Sequence, residues 1–137
     1  MLQMLTPTHP DQVLSAKENA ALCEAIGGAA PALLLRSDTR VDTGRWLGKS
    51  AVWVCLTDSA IVLVAASKRR YVQRMSLSEC EQTEYCHTSG ALHLHPSDQW
   101  RFNTIALPPV DGLKVLEHIK SAANQTKPSP ITEPTGA

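Results

Sequence analysis

The stretch "AVWVCLTDSAIVLVAA", Ala51 to Ala66, decides how this chain folds. Two apolar runs, Ala51–Leu56 and Ala60–Ala66, flank the three residues Thr57, Asp58 and Ser59. Each run is shorter than an ordinary helix and rich in valine and isoleucine, whose branched Cβ suits a pleated strand. The residues between them favour a tight turn because their side chains bond their own backbone. The stretch therefore reads as a hairpin. Strands joined by so short a link must be antiparallel, since a parallel pair needs a long crossover. Trp53 alternates with Val52 and Val54. If the valines face inward, Trp53 is an exposed ring of the kind interfaces favour. If the other face is inward, Ala51, Trp53 and Cys55 are core.

Upstream, "ALLLRSDTRV" (Ala32 to Val41) reads as a first strand, and "DTGRWLGKS" (Asp42 to Ser50) as a glycine-marked connection. Residues 10–26 read as a helix. Asp11 caps its start, Leu14, Ala21, Leu22 and Ile26 share about one face, and Gly27-Gly28 stop it. Residues 1–9 read as a flexible N-terminus ahead of a helical unit spanning 10–30. Downstream, "SKRR" turns the chain into "YVQRMSL" (Tyr71 to Leu77), and "ECEQTEYCHT" (Glu79 to Thr88) is polar enough for an edge strand. "ALHLH" and "QWRFNTI" form a third hairpin around "PSD". "LPPVDGLKVLEHIKSAA" (Leu107 to Ala123) is a helix opened by proline, with Val110, Leu113, Leu116 and Ile119 as its apolar face. Residues 124–137, rich in proline and threonine, read as a disordered tail.

The 137 residues suit one domain, with 43% hydrophobic and 19% charged residues. The longest apolar run is far short of the roughly 20 residues a membrane-spanning helix needs. The N-terminus has no basic flank and no small-residue cleavage site, so no signal peptide is read. Four cysteines without regular spacing point to reduced thiols and a cytoplasmic location. Thirteen basic residues balance thirteen acidic ones. Nucleic acid is not expected as a partner, because that affinity rests on many neutralised phosphates.

The expected architecture is mainly β (α+β): a seven-stranded antiparallel, partly open barrel over residues 31–123. A C-terminal α-helix caps it, and an additional N-terminal helix precedes it. Several stretches resemble the bacterial pleckstrin-homology-like (PH-like) and GRAM-like domains. "WLGKSAVWVCLTDSAIVLVA" is similar to their second and third strands, and "RMSLSECEQTE" to the step that follows. "GALHLHPSDQWRF" resembles their late hairpin and "PPVDGLKVLEHIKS" their closing helix. The closing helix has no tryptophan, which favours the bacterial or GRAM-like branch over a phosphoinositide-binding one. The resemblance implies a homo-oligomer, because bacterial relatives self-associate. It also implies an anion site of basic side chains at the open end, around the first and the third-to-fourth turns.

The candidate residues follow. His93 and His95 stand two apart, so with Leu92 and Leu94 inward both imidazoles share an outer surface. Cys86 and His87 precede them, but zinc wants about four ligands, usually with reinforcing short spacings such as CxxC, which this chain lacks. No metal and no cofactor is expected. His87 and His118 read as surface residues. There is no GxSxG, no glycine-rich phosphate loop and no local cue that activates a thiol, so the chain is not expected to be an enzyme. Arg36, Arg40, Arg45 and Lys49 flank the first turn, and Lys68, Arg69 and Arg70 form the third-to-fourth turn. These seven are the candidate anion-binding residues, for weak, salt-sensitive attachment to an anionic membrane surface. Trp46, Trp53, His93 and His95 are the candidate interaction surface. The expected function is a non-catalytic binding or scaffolding module for a protein partner or for self-assembly. Anionic-lipid or other anion binding, with peripheral membrane attachment, is the alternative.

Overall fold

The computed structural model describes residues 3–44, 48–99 and 102–126. The first helix, α1 (Ala16–Ile26), begins later than Asp11 would have it. Its N-cap is Ser15, whose hydroxyl accepts from Glu18 N–H (3.1 Å) while the Glu18 carboxylate accepts from Ser15 N–H (2.8 Å). This reciprocal box outcompetes Asp11 because it satisfies two orphan donors at once. Gly27 ends the helix at φ 58°, a left-handed conformation that a side chain would strain.

Seven strands follow: β1 (Leu33–Val41), β2 (Ser50–Leu56), β3 (Ala60–Ala66), β4 (Arg70–Ser76), β5 (Glu84–Cys86), β6 (Ala91–His93) and β7 (Thr104–Ala106). A 3-10 turn at Leu77–Cys80 lies between β4 and β5, and α2 (Pro109–Thr126) closes the order. The strands divide into two antiparallel sheets, β1-β2-β3-β4 and β5-β6-β7. Among the described residues no ladder joins them into one barrel, which corrects the expected seven-stranded barrel to a mixed α+β arrangement of two sheets and two helices. The reason lies in strand length. β5, β6 and β7 have three residues each, too short to reach round and close on the nine- and seven-residue edges β1 and β4.

The middle strands of the larger sheet, β2 and β3, are buried on both faces. On one, Leu35, Val52, Val54, Ile61, Leu63 and Ala65 pack with Leu92 and Ile105 of the small sheet and Val115 and Ile119 of α2. On the other, Leu34, Trp53, Cys55, Val62 and Val64 lie beneath Ala21, Leu22 and Ile26 of α1, with Leu5 and Leu14. This two-sided burial explains the unbroken apolar runs of β2 and β3 and ends the choice posed by Trp53. Both faces are inside, and Trp53 is 0% exposed. The reading of Trp53 as an interaction surface is thereby corrected. Its Nε1–H has no hydrogen-bond partner among the described residues.

The buried stripe of α2 is Gly112, Val115, Ile119 and Ala122, while Val110 (63% exposed) and Leu113 (48%) face outward. The expected face was therefore rotated. The cause is Tyr85, whose hydroxyl donates to Leu107 O (2.6 Å) and whose ring lies against Gly112. A Cβ at Gly112 would stand 2.3 Å from that ring, so the helix turns its side-chain-free position towards the core. His118, expected at the surface, is partly buried and donates from Nε2 to Thr57 O (2.6 Å), clipping α2 to the β2–β3 turn. The tail from residue 127 lies outside the described residues.

Within residues 3–9 several groups are held by the rest of the fold. Leu5 is buried, and its N–H donates to the Asn19 side chain (2.8 Å). Thr8 N–H donates to Leu34 O and Thr8 Oγ1 accepts from Leu34 N–H, both at 2.8 Å. His9 Nε2 meets Asp111 Oδ1 in the first turn of α2 at 2.8 Å.

Candidate functional site

The two edges of the larger sheet differ in how their backbone groups are used. In an antiparallel ladder alternate residues bond the neighbouring strand, and the residues between them point outward. At β1 three outward groups of Leu34 and Arg36 are covered. Thr8 takes both groups of Leu34, and the Gln12 side chain accepts from Arg36 N–H (3.0 Å). Further along, Ala106 N–H of β7 donates to Thr39 Oγ1 (2.8 Å), bringing the small sheet against this edge.

At β4 the phase is set by two bonds. Ser67 N–H donates to Arg69 O (3.0 Å) at one end, and Leu77 N–H to Ser59 O (2.9 Å) at the other. With the register Ala65↔Tyr71, Leu63↔Gln73 and Ile61↔Met75, these bonds turn the backbones of Tyr71, Gln73 and Met75 towards β3. The backbones of Arg70, Val72 and Arg74 therefore face away from the sheet. Nothing bonds their N–H or C=O groups among the described residues. Their side chains share one exposed face, with Val72 44% exposed. On the opposite face, Tyr71 packs edge-on against Phe102 (centroids 5.9 Å), beside a cavity of about 190 Å³ lined also by Val52, Leu63, Ala65 and Gln73.

The basic residues gather only in part. Gly44 of the first turn sits against Lys68 and Arg69, and Arg69 N–H donates to Thr43 O (2.7 Å), so the two basic turns do meet. Arg69 is engaged by Asp42 at 3.4 Å. Gly44 N–H, then Arg69 and Lys49, hold the Asp42 carboxyl below its ordinary value, so it stays an anion among these cations. Arg70 pairs with Glu24 of α1 at 2.9 Å. Arg40 stands at the end of β1 near this turn, whereas Arg36 lies four residues further up the strand beside Gln12. Arg45 and Trp46 lie outside the described residues.

Leu92 and Leu94 are both buried, and His93 and His95 are both half-buried. β6 ends at His93, and Leu94 and His95 follow it as irregular chain. His93 faces Glu84 on one neighbouring strand and Thr104 on the other, with Thr104 Oγ1 3.5 Å from Nδ1. Cys86 pairs with Ala91 rather than a histidine. Among the described residues no three His, Cys, Asp or Glu side chains are placed to share a metal ion. Of the thiols, Cys55 is pushed up to about 12 by burial, and Cys80 to about 11 by burial with Glu79 nearby. The Ser89 hydroxyl and N–H, with Thr88 N–H, draw the Cys86 thiol below its ordinary value.

Val72 and Arg74 were not singled out by the sequence reading. The alternation in "RYVQRMS" carried their orientation, but which strand is outermost is a long-range fact. No protein-family model and no curated protein matches this chain. No helix among the described residues is long and apolar enough to cross a membrane.

Proposed function

We propose that this protein is a non-catalytic binding module on a PH-like plan, and that its docking feature is the open edge of β4. The sequence-level resemblance supports the plan. So does the element order: a four-stranded sheet, a three-stranded sheet, then a helix against the 3-10 turn and β5. α1 is an addition that covers the outer face of the larger sheet.

The carrying observation is the contrast between edges. β1 has both outward groups of Leu34 and the N–H of Arg36 satisfied by the N-terminal segment, while β4 presents three residues of unused backbone among the described residues. An open edge is a template for an added strand, one of the recurring ways in which proteins take up peptides. Cross-linking at Val72→Cys with a photoactivatable maleimide tests this reading in the native host. Specific adducts that vanish when Arg74→Pro is added to Val72→Cys support it, whereas labelling no greater than at an exposed α2 position such as Leu113→Cys overturns it.

A second reading, weak binding of anionic lipid, is favoured by the meeting of the two basic turns at Gly44. Its strength is limited by Asp42 and Glu24, which occupy Arg69 and Arg70. Flotation with acidic vesicles, lost when Lys68, Arg69 and Arg70 become serine, is the expected result. Flotation unaltered by those changes would remove it.

A further inference from the structure

We infer that the β4 edge selects an extended acidic peptide with an apolar residue between two carboxylates, in the pattern acidic–x–apolar–x–acidic. This rests on the docking edge proposed above and names the partner's chemistry. The outward backbones belong to alternate residues, Arg70, Val72 and Arg74, so a strand added there aligns three of its own alternate residues with them. Side chains on directly paired residues of neighbouring strands meet on the same face. Opposite Val72 the match is apolar. Opposite Arg70 and Arg74 it is a carboxylate. The pattern reads the same in both directions, so parallel and antiparallel addition select the same sequence.

The charge on this face also decides against the nearest competitor, a second copy of the chain. Self-pairing of β4 sets arginines against arginines when Val72 faces Val72, and leaves them diagonal neighbours when Val72 faces Arg74. Like charges placed so closely oppose association. Lys68 and Arg69 extend the positive field past the N-terminal end of the strand. Two acids stand nearby. Glu24 engages Arg70, and Glu79 lines the same surface hollow as Arg74. Both are exposed, and exposed pairs exchange partners at little cost, so an incoming carboxylate can share these arginines.

The test uses the full chain, uniformly labelled with nitrogen-15, and the capped peptide Thr-Glu-Thr-Val-Thr-Glu-Thr. Its controls are the same peptide with lysine for glutamate and a version N-methylated at the valine and its neighbours. The expected result is shifted amide signals and slowed hydrogen exchange at Arg70, Val72 and Arg74. Binding should be at least about tenfold weaker for the lysine peptide and absent for the N-methylated one. Val72→Pro removes an outward N–H without touching the β3 ladder, and should weaken binding while leaving the remaining spectrum in place. Arg74→Glu should shift the preference towards the lysine peptide. Equal binding of both charge types, or unchanged exchange at these three amides, overturns the inference. Shifts confined to α2 also remove this site, while host cross-links at Val72→Cys would still stand for the docking edge.

Discussion

The two edges of the larger sheet carry similar backbone and have opposite fates. β1 is covered at Leu34 and Arg36 by Thr8 and Gln12, and further along Ala106 N–H bonds the Thr39 side chain. β4 is left with its outward groups in water and arginines beside them. The difference teaches that an edge can be guarded in two ways. One is occupation, which makes it part of the core structure. The other is charge, which turns away neutral or cationic strands and leaves the backbone available to a suitable one.

The middle of the sheet sets the scale against which both edges are judged. Trp53→Ala empties the largest buried side chain beneath α1 and should cost about 3–5 kcal/mol, read from urea unfolding. Trp53→Phe removes the unpartnered Nε1–H along with part of the ring, so the two terms offset and the loss should stay within about 1.5 kcal/mol. A loss for Trp53→Phe well above that figure would show that the orphan donor is not a cost.

The next effect separates neighbours on one strand. Gln73→Pro removes a donor turned towards β3 and should destabilise by about 2–3 kcal/mol. Val72→Pro removes a donor turned to water and should cost under about 1 kcal/mol. If the two prove alike, the edge of β4 is not where the ladder places it. At the guarded edge, Thr8→Val keeps the shape of the side chain but takes away the acceptor for Leu34 N–H. That should cost about 1–2 kcal/mol and speed hydrogen exchange at Leu34 by a matching factor.

The smallest effect at neutral pH concerns thiols, and it grows in alkali. Cys55 and Cys80 keep their protons in the folded chain up to about 12 and about 11, while in the unfolded chain they release them near 9. Between those values the unfolded state binds fewer protons, so stability is full below pH 9 and falls as pH rises above it. Replacing both by alanine should flatten that slope in urea titrations. Cys86, whose thiol is lowered and which is only half-buried, should alkylate well before either of them in the folded protein.

Much of this architecture was legible in the sequence because it rests on local signals. Thr57-Asp58-Ser59 makes its turn with Thr57 Oγ1 accepting from Ser59 and Ala60 N–H, as turn chemistry dictates. Gly27 stops α1 where a left-handed residue is needed. The Ser15–Glu18 box was also visible as S-x-x-E, yet Asp11 drew the helix start forward. What could not be read is what depends on partners far along the chain. Large aliphatic residues suggested Val110 and Leu113 for the inner face of α2, whereas the ring of Tyr85 selected Gly112 instead. His118 has a surface-like sequence context, and only the distant Thr57 carbonyl gives it an anchoring role. The basic turns were found, but Asp42 and Glu24, which neutralise part of them, come from elsewhere in the fold.

The contact between His9 and Asp111 joins positions 102 residues apart. A ribosome delivers Asp111 long after His9. While β2 and β3 emerge, α1 is already made, so the covering segment has Asn19 to hold Leu5 but not yet Asp111 to meet His9. When α2 follows, His9 gains its second anchor and the cover over β1 is fastened at both of its ends. Nascent molecules are therefore the ones most exposed to pairing at the wrong edge.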